Sequence, residues 1–221
     1  MELNITSYST LVFDCDGVVL DSNKVKTESF YRAALSYGER AADELVEYHV
    51  KNGGVSRYKK FSYFLDYIVK KPSETALKEL LTDYAANVQV GLQNCAIAPA
   101  LERLRNKTPH TRWLIVSGGD QAELREIFQM RGLSNWFNGG IFGSPDTKEE
   151  ILIRELECGN IVRPALFIGD SKYDFKAAKF VGLDFVFLSG WSEVKGWESW
   201  VAENGICATR NVESLMSLER E

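Results

Sequence analysis

Two carboxylates stand one residue apart directly after the first short apolar run of the sequence. Residues 11–13 are strand-forming, and they lead into Asp14, Cys15, Asp16 and Gly17. In a regular strand, residues two apart project to the same face, so the side chains of Asp14 and Asp16 are expected to lie together. Two negative charges at the mouth of a buried strand repel each other unless a cation is shared between them. The pattern therefore indicates a metal ion and a reacting group.

Three later segments carry polar residues at comparable places. Ser117 ends a strand-like run, Lys148 stands near a predicted helix start, and the segment 169–174 places Asp170 and Asp174 after another apolar run. If these segments fold into one sheet, the carboxylates of Asp14, Asp16 and Asp170 and the ammonium of Lys148 meet at one edge. Such a cluster suits a phosphate and a divalent cation better than a hydrophobic core.

Apolar runs of strand length recur along the chain, and most are followed by a segment of helical pattern. Continuous apolar strands with helical connections predict an α/β fold with a parallel, Rossmann-like sheet covered on both faces. Asp120 with Glu123, and Thr147 with Glu150, have the spacing of helix N-caps just beyond predicted strands. Ligands of open α/β sheets bind at these strand ends. The predicted strands are 11–13, 113–116, 141–142, 165–168 and 185–188, the third being weak.

The segment 23–93 differs, because its apolar spacing is helical and shows no strands. Helical patterns cover 29–35, 61–69 and 76–88, with breaks at Gly53-Gly54 and Pro72. We expect residues 23–93 to form an inserted α-helical cap domain over a core domain made of 1–22 and 94–221. Helices that merely pack on the sheet are the alternative. The cap is favoured because the change from strand pattern to helical pattern comes directly after the first acidic loop.

Composition excludes several classes of function. The chain has 221 residues, a net charge of −5 and 45% hydrophobic residues, which argues against a general nucleic-acid binder. No apolar stretch is long enough to span a membrane, and no signal peptide is visible, so a cytoplasmic location is expected. Four scattered cysteines and two histidines make a zinc site improbable, and buried free thiols are expected. Cys15 alternates with the two acids and is expected in the core.

The four elements in this order resemble the haloacid dehalogenase superfamily, specifically its phosphatases with a helical cap. The resemblance covers nearly the whole chain and is most specific in the motifs 14–22 and 169–174. It implies a phosphatase acting on a small phosphorylated metabolite through an aspartyl-phosphate. A sugar phosphate or a phosphoglycolate-like acid is the implied substrate, and no membrane or nucleic acid is an implied partner. Oligomeric state stays open.

The resemblance also implies roles for individual residues. Asp14 would be the nucleophile and Asp16 the general acid and base. Mg²⁺ would be held by Asp14, the backbone carbonyl of Asp16 and Asp170, with Asp174 supporting the site. Ser117 and Lys148 would bind the phosphoryl group, with a backbone amide near Gly118 as a further donor.

Each of the weaker residues keeps an alternative. Ser117 could merely cap the following helix, and Asp174 could merely be the partner of a Ser171 cap. Lys172 is a rival to Lys148, although a first-turn lysine such as Lys148 opposes the helix dipole and asks for an explanation. Arg57 could contact the leaving group or could be a solvated helix start. Residues 23, 24 and 26 could also face the cleft.

Other functions are weighed against the phosphatase. A phosphosugar mutase of the same superfamily is the main alternative, and many mutases carry a histidine just after the first motif. Residues 22–28 contain none. A dehalogenase is disfavoured because a halide leaves unprotonated and needs no Asp16. A non-catalytic binding protein is disfavoured because both acids of the first motif are intact.

Overall fold

A six-stranded, wholly parallel sheet forms the centre of the molecule in this computed structural model, which describes residues 3–217. The strand order is β3-β2-β1-β4-β5-β6, so the first strand lies in the middle. The α/β fold predicted from the sequence is therefore confirmed. The strands are β1 Thr10–Phe13, β2 Arg112–Asp120, β3 Gly140–Ser144, β4 Ala165–Gly169, β5 Asp184–Leu188 and β6 Cys207–Thr209.

Five α-helices lie between β1 and β2 in the chain, and the first four form the insertion that the helical pattern of residues 23–93 predicts. The longest, α4, packs against α1 and α3. The helices of this insertion are α1 Asn23–Ala34, α2 Glu39–Lys51, α3 Arg57–Tyr63 and α4 Glu74–Asn94. The remaining helices are α5 Leu101–Lys107, α6 Gln121–Met130, α7 Lys148–Glu157, α8 Lys172–Phe180, α9 Trp197–Asn204 and α10 Val212–Leu215.

The register of the central strands brings the polar segments to one edge. Phe13 at the end of β1 pairs with Ile115 of β2 on one side and with Ile168 of β4 on the other. Polar residues lie at the carboxyl end of each of these three strands or directly after it. Their carboxyl ends therefore meet, as the sequence predicts for a parallel sheet.

The sheet separates two apolar layers, because alternate residues of each strand point to opposite faces. Leu11 and Phe13 belong to the larger layer, which also contains helices of the insertion, whereas Val12 belongs to the smaller one. Cys15 is fully buried in the larger layer, which confirms its predicted core position. All four thiols are free, but only Cys15 is buried, since Cys95 and Cys207 are half-buried and Cys158 is exposed, so the expectation of buried thiols is wrong for these three.

All five predicted strands are present, and the weak third strand is real. Strand β6 was not predicted, because it is three residues long, only half-buried and without a continuous apolar run. The N-caps at Asp120 and Thr147 are confirmed. In the described part of the chain, no helix has both the length and the hydrophobicity that a membrane crossing requires.

Candidate active site

Asp14 is the first residue after β1, and the backbone fixes its position. Its N–H donates to the carbonyl oxygen of Ile168 at 2.9 Å, which ties the loop to β4. Its carboxylate Oδ1 accepts from the N–H of Cys15 at 2.7 Å, and the residue is only 2% exposed. Both Asp14 and Asp16 lie beyond the end of β1, so the loop, rather than regular strand alternation, sets their directions.

Lys148 is the charge partner of Asp14. Its Nζ lies 3.0 Å from Asp14 Oδ1 and also contacts Asp174, and the side chain is fully buried. Burial alone would lower the pKa of the Lys148 ammonium, but Asp14 and Asp174 outweigh this effect and raise it. These two carboxylates explain a lysine in the first turn of α7, where the helix dipole disfavours it. The rival Lys172 is exposed and lies over the Trp200 ring.

Asp174 has two functions at the start of α8. Its Oδ2 accepts from the N–H groups of Asp170 and Ser171 at 3.2 and 3.0 Å and from the Ser171 hydroxyl at 2.7 Å. Its Oδ1 contacts Lys148. Asp174 is therefore more than the partner of a helix cap, because the same carboxylate that closes the capping box also holds the buried ammonium.

Three buried carboxylates surround a place that suits a cation. Oxygens of Asp14, Asp170 and Asp174 lie within 4.8 Å of one another. Burial raises the pKa of Asp14 to about 7 against the opposing effect of Lys148, and burial with the neighbouring Asp174 and Asp14 raises the pKa of Asp170 well above its usual value. One ammonium does not balance this cluster. Its hard oxygen donors and residual negative charge fit Mg²⁺.

Asp16 has separate partners and a different electrostatic environment. Lys26 Nζ lies 2.5 Å from its Oδ2, and the Ser22 hydroxyl donates to its Oδ1 at 2.5 Å. Burial acts to raise the pKa of Asp16, but the Lys26 ammonium and both hydrogen bonds hold it below the usual value. Asp14 and Asp16 therefore share one loop but are not equivalent acids.

The end of β2 brings Ser117 and Gly118 to the same edge of the sheet. Ser117 is fully buried, and its Oγ accepts from the N–H of Gly119 at 3.0 Å. The suggestion that Ser117 merely caps the next helix is wrong, because Asp120 is the N-cap of α6. A Cβ built on Gly118 would lie 2.0 Å from the carbonyl oxygen of Gly54. The insertion therefore contacts the sheet at this glycine.

A cavity of about 50 Å³ lies between the two acidic loops and the helical insertion. The predictions that Asn23 and Lys26 face the cleft are confirmed, but Lys24 is exposed and does not line it. Asn23 Nδ2 donates to Asp170 Oδ2 at 2.7 Å. Arg57 lines the cavity, is 6% exposed and pairs with Glu123, so its reading as a solvated helix start is wrong.

Four further polar residues that line this cavity had no individual role predicted from the sequence. One usable signal exists for Lys60, because it follows Arg57 by three residues and so shares its face of α3. The others come from helices and a loop whose approach depends on tertiary packing. The four residues are His49, Lys60, Tyr84 and Glu193.

The geometry defines a class of enzyme. A buried aspartate after the first strand, a lysine in contact with it and a second acidic loop on the adjacent strand are the groups that transfer of a group to a carboxylate, aided by a divalent cation, would require.

The haloacid dehalogenase-like hydrolase family model matches residues 8–182, and the chain belongs to this family of hydrolases. The family and the enzyme class predicted from the sequence are thus confirmed. The chain is 26% identical over 186 residues to a phosphorylated carbohydrates phosphatase of Thermotoga maritima, a match that covers 80% of this chain and 83% of that protein.

Solved structures confirm the fold. A protein described as a predicted phosphatase from Clostridium acetobutylicum superposes with a TM-score of 0.73 at 19% identity, covering 95% of this chain and 97% of that one. A β-phosphoglucomutase from Clostridium difficile superposes with a TM-score of 0.70 at 16% identity, covering 95% and 96%. Because both identities are below 25%, this likeness shows the shared fold alone. The two neighbours also differ in their described activity.

Proposed function

We propose that this hydrolase is a phosphatase that cleaves a small phosphorylated metabolite through an aspartyl-phosphate at Asp14. The observation that carries the proposal is the contact of Lys148 with Asp14, beside a second acidic loop that brings Asp170 within 4.8 Å. A carboxylate nucleophile needs its own charge and that of the phosphoryl group neutralised, and Lys148 does part of this.

The reaction divides into two displacements. In the first, a carboxylate oxygen of Asp14 forms a bond to phosphorus while the bond to the leaving oxygen breaks, and Asp16 gives that oxygen a proton. In the second, Asp16 takes a proton from water, whose oxygen attacks phosphorus and frees Asp14 and inorganic phosphate. The Lys26 ion pair favours the ionised carboxylate of Asp16, which the second step requires. The first step starts from the protonated form of the same carboxyl, which this ion pair makes the minor form.

Binding roles follow from position in the site. Asp14, Asp170 and the backbone carbonyl of Asp16 would hold Mg²⁺, which when bound supplies charge neutralisation to the phosphoryl group. Asp174 would support the site by holding Lys148 and the N–H groups of the second acidic loop. Ser117 and Gly118 would orient the phosphoryl group.

We also propose that residues 23–93 act as a cap domain on a core of residues 1–22 and 94–221. The cavity that this insertion encloses would receive the leaving group. Arg57 would act in that cavity through its charge, although its guanidinium already pairs with Glu123. The Thermotoga relative, described as acting on phosphorylated carbohydrates, supports a sugar phosphate as one candidate substrate, and a phosphoglycolate-like acid is the other.

The direct test is release of inorganic phosphate from p-nitrophenyl phosphate and from a panel of phosphorylated metabolites, with and without Mg²⁺. We expect metal-dependent release by the wild type and loss of activity by at least about a thousand-fold in Asp14→Asn, since the nucleophile is removed. Folded wild-type protein that releases no phosphate from any substrate would contradict the proposal. Glucose 1-phosphate with a bisphosphate activator separates a phosphatase from a mutase, because a mutase yields an isomer.

A further inference from the structure

Lys60 is a buried ammonium without a carboxylate partner among the described residues. It lies on α3 with 2% of its surface exposed and lines the same cavity as Asp14 and Asp16. The other two cations that line the cavity are already paired, Lys26 with Asp16 and Arg57 with Glu123. An ammonium removed from water is unfavourable unless an acceptor compensates it, so Lys60 has capacity for a ligand.

His49 also lacks a hydrogen-bond acceptor. Lys60 Nζ lies 2.7 Å from His49 Nδ1, so the ammonium donates to that nitrogen and the imidazole proton is assigned to Nε2. His49 is 7% exposed, and its Nε2 is buried with no hydrogen-bond partner in the described structure. The neighbouring Phe30 ring, whose centroid lies 4.4 Å from the imidazole centroid, offers no strong acceptor. The pair therefore presents hydrogen-bond donors and lacks an acceptor.

Both residues come from inserted helices, His49 from α2 and Lys60 from α3, whereas Asp14 and Asp16 lie in the loop after β1. Glu193 also lines the cavity, but it forms no ion pair with Lys60 and instead accepts from the Thr27 hydroxyl at 3.2 Å. The free space of about 50 Å³ holds only a few water molecules, which restricts a leaving group to a few heavy atoms. A carboxylate is an acceptor-only group of that size, and its negative charge also matches the ammonium of Lys60.

We infer that the Lys60–His49 pair binds a carboxylate on the leaving group, so that the preferred substrates are small phosphorylated hydroxy acids. The inference rests on the proposed phosphatase function and selects among its substrate classes. In this arrangement Asp14 faces the phosphoryl end of the substrate, while Lys60 and His49 receive the acid end across the cavity. Lys60 and His49 are then specificity-determining residues from the inserted helices.

Two phosphate esters that differ only at the acid end provide the test. Phosphoglycolate carries a carboxylate where 2-hydroxyethyl phosphate carries a neutral alcohol. We expect the wild type to prefer phosphoglycolate in kcat/KM. In Lys60→Gln the ratio of the two kcat/KM values should fall by at least about ten-fold, because a buried charged acceptor loses its ion partner. Lys59→Gln, which changes an exposed lysine next in sequence, should retain the wild-type ratio.

A binding measurement separates this inference from the proposed function. The Asp14→Asn variant, with Mg²⁺ present, is titrated calorimetrically with both esters, with and without Lys60→Gln. Phosphate release without any Lys60-dependent preference would overturn the inference and leave the phosphatase intact. Lys60-dependent binding of phosphoglycolate without turnover by the wild type would support the carboxylate site and contradict the phosphatase. Equal binding of both esters to the two variants would overturn the inference.

Discussion

At the scale of single residues, the site depends on carboxylates that share a region but differ in their partners. Asp14 and Asp174 flank one buried ammonium, whereas Asp16 pairs with Lys26. Burial raises the pKa of Asp14 to about 7, and Lys26 with Ser22 lowers that of Asp16. Two neighbouring acids need different partners if they are to have different roles in one reaction.

Lys148→Met tests the importance of the buried ammonium. Without it, Asp14 and Asp174 are buried carboxylates with no cation between them, and we expect the free energy of unfolding to fall by about 3–5 kcal/mol in metal-free buffer. Lys78→Met, at an exposed position of α4, should change it by less than about 0.5 kcal/mol. Urea denaturation followed by circular dichroism measures both, and equal stability of the two variants would contradict this role.

Lys60→Met should act in the opposite direction on stability. Burial, assisted by Lys26, lowers the pKa of Lys60 to about 7, so near and below that pH the folded protein retains a buried charge without a carboxylate partner. Replacing it with an apolar side chain should raise the free energy of unfolding by about 1–4 kcal/mol at pH 6.

The stabilisation expected for Lys60→Met should depend on pH in one direction. Between the folded pKa of about 7 and the unfolded lysine pKa of about 10.4, Lys60 loses its proton in the ligand-free folded protein but keeps it in the unfolded chain, so wild-type stability from this group rises with pH. The advantage of Lys60→Met should therefore shrink between pH 6 and pH 9. Urea denaturation at the two pH values measures it, and an advantage that grows with pH would contradict the environment assigned to Lys60.

At the residue scale, sequence reasoning predicted which acids meet but not all of their partners. Asp14 and Asp170 directly follow strands and Lys148 begins the helix after β3, so the topology of the sheet brings them to one edge. His49 lies at the far end of α2, where only tertiary packing brings it over the cavity. No local spacing in the sequence shows that contact.

At the scale of elements, helix starts position the catalytic groups. Thr147 and Ser171 close capping boxes at the starts of α7 and α8, which fixes the first turns that carry Lys148 and Asp174. The sequence predicted these starts because N-cap pairs are local signals. The short strand β6 and the boundaries of the inserted helices have weaker local signals, so the sequence alone predicted them less well or not at all.

Gly118→Ala tests the contact between the insertion and the sheet. The new Cβ would lie 2.0 Å from the Gly54 carbonyl oxygen, so the insertion must move away from the end of β2. We expect kcat/KM for a metabolite substrate to fall by about ten-fold or more, because displaced groups lose their orientation.

Gly53→Ala is the matched control for that substitution. A Cβ at Gly53 meets only the Ser171 Cβ at 3.5 Å, which is an ordinary contact, so a clearly smaller loss is expected. Steady-state kinetics of the two variants, with circular dichroism to verify folding, gives the comparison. A larger loss in Gly53→Ala than in Gly118→Ala would contradict the importance of the Gly118 contact.

At the scale of the whole molecule, the acidic cluster couples cation binding to stability. A ligand that binds only the folded state stabilises it by about 2.7 kcal/mol at a hundred times its dissociation constant. Mg²⁺ should therefore raise the melting temperature of the wild type. Asp170→Asn should lose most of that increase, since one of the three clustered carboxylates is removed.

An exposed acid supplies the control for the thermal measurement. Glu74→Gln, at the start of α4, should keep the full Mg²⁺ response because Glu74 lies in no carboxylate cluster of the described residues. Differential scanning fluorimetry with and without excess chelator measures the shifts. An equal Mg²⁺ response in Asp170→Asn and the wild type would place the cation elsewhere.

The most direct measurement is a rapid-quench reaction of p-nitrophenyl phosphate with the Asp16→Asn variant. Nitrophenolate leaves without a donated proton, so Asp14 should still be phosphorylated, whereas removal of the base should slow hydrolysis. We predict a burst of about one nitrophenolate per active site, with a phosphoryl group located on Asp14 by mass spectrometry. A burst that persists in the double variant Asp14→Asn, Asp16→Asn, or a phosphoryl group on another residue, would contradict the account.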